Sequence, residues 1–306
     1  MVHFGAEIST DLKCRCMIVR RFPQGGKRLC HVIDMANRKT STLGKAFPFK
    51  NDCIIASIED GIAHVALARG SGNPFSLRML KDLSLIGQEL AYEKTVRAVV
   101  LTSKGSDFCT GLDLRDPELI RLIDESDDCR IEFATLGETL IQRWSTMPVP
   151  VIISAKGNVS GPGACLFTIA DFRFTSATTR VSFSDVDRGM HLAWGILPRM
   201  VHEFGMANTK LLGLAGIAFS SGDFAKGVCR EEENADQAAR LWARFLAQKP
   251  PLAVRSILSV LRDYVGKSEP ANHGDREKFA KTVGSQDFVE AMSAWLEKRP
   301  GRYHGR

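Results

Sequence analysis

Two short apolar runs constrain this chain most: VRAVVLTSK (Val96–Lys104) and VPVIISAKG (Val149–Gly157). Each is long enough for a strand and too short for a helix. Neither alternates with polar residues, so each predicts a strand buried on both faces. A helical stretch at about Glu132–Ser145 lies between them. Strand, helix, strand with both strands buried is the pattern of parallel βαβ units, in which helices cover a sheet. An earlier segment, CIIASIEDGIAHVALAR (Cys53–Arg69), predicts a hairpin around the turn EDG. Next, SLRMLKDLSLIGQELAYE (Ser76–Glu93) spaces Leu77, Leu80, Leu83, Ile86 and Leu90 as one face of a helix. DFRFTSATTRVSFSD (Asp171–Asp185) reads as strand and turn, and the chain from Asp236 onward reads as mostly helical.

Composition narrows the class. The 306 residues are 44% hydrophobic and 25% charged, the make-up of an ordinary globular chain. No apolar run reaches the roughly 18 residues of a membrane span, so no membrane partner is expected. The net charge of +6 sits in residues 1–50, where ten Lys and Arg face three Asp and Glu. The remainder is close to neutral and shows no basic stripe with interleaved aromatics, so no nucleic-acid partner is expected. The eight cysteines (Cys14, Cys16, Cys30, Cys53, Cys109, Cys129, Cys165, Cys229) are scattered through apolar segments, as in a reducing compartment. Cys14, Cys16, Cys30 and His31 match no usual zinc spacing, and no metal is expected. The chain divides into a basic leader over 1–50, a core over 51–230 and a helical region over 231–306. The leader reads as a disordered arm, a targeting segment or a misassigned start. The chain is accordingly placed in the cytoplasm, or in the mitochondrial matrix if the leader is a targeting segment.

Several motifs then arrive in a recognisable order. They are AVVLTSKGSDFCTGLDL (Ala98–Leu114), MPVPVIISAKGNVSGPGACLFTIADFRF (Met147–Phe174), VSFSDVDRGMHLAWGILPRM (Val181–Met200), LAQKPPLAVRSILSVLR (Leu246–Arg262) and SQDFVEAMSAWLEKR (Ser285–Arg299). This ordered set resembles the crotonase superfamily, the enoyl-CoA hydratase/isomerase family, from about Cys53 to Arg302. The resemblance implies an α/β crotonase fold. Repeated ββα units form two roughly perpendicular sheets with surrounding helices and a helical C-terminal region that serves oligomerisation. It implies a homotrimer or hexamer. It also implies an acyl thioester of coenzyme A, or of an acyl carrier protein, as substrate, with no other cofactor.

The chemistry implied is stabilisation of an enolate by two backbone N–H groups in a dry site. On this resemblance the first donor is the N–H of Leu112, with Gly111 and Asp113 beside it assigned to binding the coenzyme A moiety. The middle glycine that carries the second donor falls on Pro162, which has no N–H. Gly163 is the expected replacement, after a small shift. The first catalytic Glu falls on Cys165, read as a buried, inert thiol rather than a nucleophile. The second acid falls on Asp185. Asp187 competes with it, since two residues apart in an extended segment share a side, and either could cap the next helix. Lys298 matches a lysine that helps hold the coenzyme A phosphates, or else is a solvated helix end. His191 and Trp194 replace a Gly- and Pro-rich stretch and would narrow the acyl pocket.

The altered pair favours isomerase-type proton transfer over hydration, because two carboxylates are needed to handle water. Two other readings remain: a carrier-linked dehydratase or decarboxylase of polyketide β-branching, and a catalytically degenerate scaffold.

Overall fold

The computed structural model describes residues 47–268 and 275–304. The leader, with Cys14, Cys16, Cys30 and His31, otherwise lies outside the described residues. The sheet already begins inside residues 1–50, since β1 (Phe49–Lys50) pairs antiparallel with β2 (Ile54–Glu59). The expected hairpin joins β2 to β3 (Ile62–Leu67), with Glu59 opposite Ile62 across the turn Asp60–Gly61. Helix α1 (Leu77–Tyr92) comes next, capped by Ser76, whose hydroxyl accepts from the Met79 N–H.

The next segments repeat one plan. β4 (Ala98–Ser103) leads to the short β5 (Cys109–Thr110), then α2 (Pro117–Asp124) and α3 (Asp127–Ser145). β6 (Val151–Ala155) leads to β7 (Asn158–Ser160), then α4 (Pro162–Ile169). β8 (Phe172–Thr175) leads to β9 (Arg180–Ser182), then α5 (Ile196–Gly213). The first strand of each unit joins a large sheet in the order β1-β2-β3-β4-β6-β8-β10, where β10 is Arg230–Glu231. The second strand joins a small sheet, β5-β7-β9, whose strands are all parallel. The chain closes with α6 (Ala235–Ala247), α7 (Pro251–Ser268), α8 (Asp275–Val283) and α9 (Gln286–Glu297).

The unbroken apolar runs are explained by burial on both faces. Along β4, Val99 and Leu101 enter the main core, while Ala98 and Val100 enter a second one formed with Ala235, Ala239 and Ala243 of α6. Each such Val or Leu contributes about 1.5–3 kcal/mol on leaving water. In the main core Trp144 of α3 is fully buried and donates its indole N–H to the Leu83 carbonyl at 2.9 Å. It packs where a side chain on Gly87 of α1 would stand, so the two helices approach closely. The α3 helix begins at Asp127, five residues before the periodicity suggested, because Ser126 caps it.

One buried cation fixes the helix that faces the site. The Arg173 guanidinium donates to the carbonyls of Phe167 (2.7 Å) and Thr168 (2.6 Å) at the C-terminal end of α4, and pairs with Glu203 at 2.7 Å. Orphan helix carbonyls are thus satisfied by a positive charge where the helix dipole favours one.

Candidate active site

The small parallel sheet brings the three implied segments together. In register, Thr110 of β5 lies opposite Ser160 of β7, which lies opposite Ser182 of β9. All three strands run in one direction, so the chain leaves each of them at the same edge. Gly111–Leu112, Gly161–Pro162 and Ser184–Asp185 therefore meet there and line one cavity of about 800 Å³. That volume falls in the range of small-molecule sites. The walls are largely apolar, with Ile120, Ile123, Phe133, Leu192, Trp194 and Phe279 among them, and α9 adds Phe288, Met292 and Trp295.

Leu112 is held by backbone hydrogen bonds of the residues on either side of it. Phe75 N–H donates to the Gly111 carbonyl (2.8 Å), and Asp113 N–H donates to the Phe75 carbonyl (2.9 Å). This parallel bridge uses the groups on either side of Leu112. By the alternation of an extended chain its own N–H points the opposite way, away from Phe75. Among the described residues that N–H has no acceptor. Gly161 lies directly against it: a side chain there would touch the Gly111 Cα, and Gly161 adopts φ 52°, ψ −119°, open in practice only to glycine.

The expected shift to Gly163 is not made. Pro162 is the first residue of α4 and stands on the cavity wall without an N–H. Gly163 is buried behind it, where any side chain would overlap Cys109. The Cys109 sulfur beside it accepts from the Gly111 N–H at 3.3 Å. Gly163 is not among the residues that line the cavity, whereas Gly161 and Pro162 are.

Asp185 also lines the cavity. Loss of solvent around it pushes its pKa up to about 6, against the pull of the nearby Arg188 and His191 charges. The expectation that Asp187 shares its side fails for a local reason. Val186–Arg188 is a 3₁₀ turn, not an extended strand, with Arg188 N–H on the Asp185 carbonyl at 3.0 Å. The turn sends Asp187 outward to an exposed position against Gly216.

Cys165 lies on the same wall and is 6% exposed. Burial raises its thiol well above the ordinary range, and the Asp185 charge raises it further. It has the character of a small apolar residue, as its surroundings dictate.

The other implied residues are placed differently. Asp113 is buried and committed to structure, paired with Arg69 at 2.6 Å and accepting from the Arg115 N–H at 3.1 Å. Burial would raise its pKa, but these partners outweigh it and hold the carboxyl below its usual value. Lys298 is the exposed C-cap of α9, off the wall, while Trp295 and Leu296 just before it are on the wall. His191 is also off the wall, and its backbone N–H donates to Thr282 of α8. Trp194 is on the wall and 6% exposed, edge-on to Phe133 at 5.9 Å.

Sequence reasoning missed Arg188 and Ser184. Both line the cavity, and the Arg188 guanidinium donates to Ser184 at its carbonyl and its hydroxyl. Nothing in the string DVDRG sets this arginine apart from a surface one; only the 3₁₀ turn folds it back.

A model of the family described as enoyl-CoA hydratase/isomerase matches residues 57–306. The chain belongs to the enoyl-CoA hydratase/isomerase family. Among relatives, it is 30% identical to a "probable enoyl-CoA hydratase" of Mycobacterium tuberculosis, over 70% of this chain and 84% of the relative. It is 26% identical to the 1,2-epoxyphenylacetyl-CoA isomerase of Escherichia coli, over 83% and 98%. An enoyl-CoA hydratase/isomerase from Mycobacterium paratuberculosis superposes with a TM-score of 0.73 at 19% identity, covering 79% of this chain and 98% of that one. The crotonase fold expected of a family member is therefore present, with its repeated ββα units in two sheets.

Among the described residues no helix is long and apolar enough to cross a membrane. Nor does any group of three His, Cys, Asp or Glu there form a metal cluster.

Proposed function

We propose that this enoyl-CoA hydratase/isomerase family member takes an acyl thioester of coenzyme A and moves a proton at the carbon next to its carbonyl, an isomerase-type reaction. The observation that carries this is the pairing of one desolvated carboxylate, Asp185, with one unclaimed N–H, Leu112, on the wall of a single cavity. The thioester carbonyl accepts from Leu112 N–H, and the N-terminal end of α4 adds partial positive charge where the middle-glycine donor is lacking. Asp185 takes the proton from one carbon of the enolate system and returns it to another. A pKa of about 6 suits a group that must both accept and release a proton near neutrality. Cys165 stands where the first acid would be and cannot activate water, which argues against hydration. The polar residues of the cavity supply no second such acid: Asp113 is ion-paired with Arg69, and Asp124 is exposed on α2.

The test is hydrogen–deuterium exchange at the α-carbon of butyryl-CoA, monitored by mass spectrometry, in wild type and Asp185→Asn. Exchange lost in the variant supports the reading. Undiminished exchange in Asp185→Asn would overturn Asp185 as the base. Absence of exchange in the wild type, with coenzyme A thioester binding intact, would favour the degenerate scaffold that Pro162 and Cys165 also suggest.

A further inference from the structure

Two arginines line the cavity, and they differ in what they touch. Arg115 stands at the rim, 90% exposed, within 3.7 Å of the Asp113 carboxylate. Arg188 lies further in, partly buried, beside the base itself. Its Nη1 donates to Ser184, and its guanidinium stacks 5.6 Å from the centre of the Trp295 ring. Among the described residues its Nε and Nη2 make no hydrogen bond, and no carboxylate lies within salt-bridge distance. Its charge is felt at Asp185 without contact.

A guanidinium drawn partly out of water normally pairs with an anion, because an uncompensated charge there is costly. It presents a planar fork of donors suited to two carboxylate oxygens, and stacking on an aromatic ring leaves that fork's edge available. The Ser184 contacts and the Trp295 ring fix the plane of the Arg188 fork. What remains is a preoriented set of donors on a largely apolar wall, next to the proton-transfer base.

We infer that the acyl group of the substrate carries a second carboxylate, and that Arg188 receives it. This rests on the reading of the cavity as an acyl-thioester site and specifies the acyl class: dicarboxylic acyl thioesters rather than plain fatty acyl ones. The placement also settles an electrostatic conflict. A substrate carboxylate near Asp185 would repel its negative form; a guanidinium beside both groups offsets that repulsion.

The experiment measures affinities by titration calorimetry for succinyl-CoA and glutaryl-CoA beside valeryl-CoA and hexanoyl-CoA, their uncharged counterparts of similar length. The wild type is expected to bind the dicarboxylic member of each pair about tenfold or more tightly, as a charge-assisted bidentate contact implies. In Arg188→Gln the ratio should fall to about one, and in Arg188→Lys, which keeps the charge but not the fork, to an intermediate value. Equal affinities within each pair in the wild type, or a preference unchanged in Arg188→Gln, would overturn the inference. Exchange on butyryl-CoA that depends on Asp185 but shows no dicarboxylate preference sinks this inference alone. Loss of Asp185-dependent exchange with every thioester sinks the proposed function instead.

Discussion

The indole of Trp194 occupies the space that a side chain on Gly137 would fill. Gly137 is buried in α3, and Trp194 is held at φ 68°, a left-handed conformation that a bulky residue adopts only under constraint. The glycine makes room, and the ring closes one side of the cavity beside Phe133. Trp194→Ala should cost about 3–5 kcal/mol of stability and open the wall. Measured over a series of straight-chain acyl-CoAs, KM should fall for the longer chains in the variant. Gly137→Ala should displace the ring and lower the melting temperature. A chain-length profile unchanged in Trp194→Ala would show that the ring does not bound the acyl site.

Asp185 sets a pH dependence of known sign. As the proposed base it must be ionised, so kcat/KM should rise between about pH 5 and pH 7 with a midpoint near its pKa of about 6. Its effect on folding runs the other way. The folded carboxyl holds its proton up to about pH 6, while an unfolded one releases it near the ordinary value of 3.8. Between those limits the folded state binds more protons, so stability falls as pH rises through the window, and the cost persists above it. Asp185→Asn removes that cost. It should raise the unfolding free energy at pH 7.5 by about 1–3 kcal/mol while reducing exchange by about 100-fold or more. Denaturant unfolding at pH 4 and pH 7.5 checks this: the gain should be present at pH 7.5 and much smaller at pH 4.

Much of the fold was legible because its strands are buried on both faces. Val99 and Leu101 face one core and Ala98 and Val100 the other, so the whole run had to be apolar. The convergence of Leu112, Pro162 and Asp185 was legible only through resemblance, since strands of two or three residues such as β5 and β7 carry too little pattern to be read. Three site details were not legible. The choice between Asp185 and Asp187 depends on a 3₁₀ turn with no distinctive residue pattern. The placement of Gly163 against Cys109, off the cavity wall, depends on which face of α4 meets β5. The return of Arg188 to the cavity depends on the same 3₁₀ turn, and its charge in sequence looks like that of any solvated residue.

The buried thiols should resist alkylation. Burial pushes Cys109 up to about 12, and Cys165 is also raised well above its ordinary value, so neither supplies thiolate near neutrality. Cys129 is partly exposed on α3. With iodoacetamide at pH 7.5, peptide mapping of the native protein should find Cys129 modified and Cys109 and Cys165 unmodified until denaturant is added. Fast modification of Cys165 in the native state would mean that its thiol is activated. A nucleophilic role at the first-acid position would then replace the inert one.

Pro162 gives the sharpest test of the proposed oxyanion site. The position lies on the cavity wall at the first turn of α4, next to Gly161 and within the same edge as Leu112. Only the missing N–H separates it from a second donor, and the proline ring can be removed without disturbing a hydrogen bond that it never made. Pro162→Gly should cost up to about 1 kcal/mol through the freer unfolded chain. A single oxyanion donor is worth about 10²–10³ in rate in a fully formed hole. Because the end of α4 already supplies part of that field, the expected gain in α-proton exchange is smaller, about 10- to 100-fold. Pro162→Ala should give a similar gain, which separates the N–H from added flexibility as its cause. If neither variant accelerates exchange, the N–H at 162 is not aimed at the thioester oxygen. Leu112 would then be the one backbone donor on which enolate formation depends, and Leu112→Pro, which deletes that donor, should abolish exchange altogether.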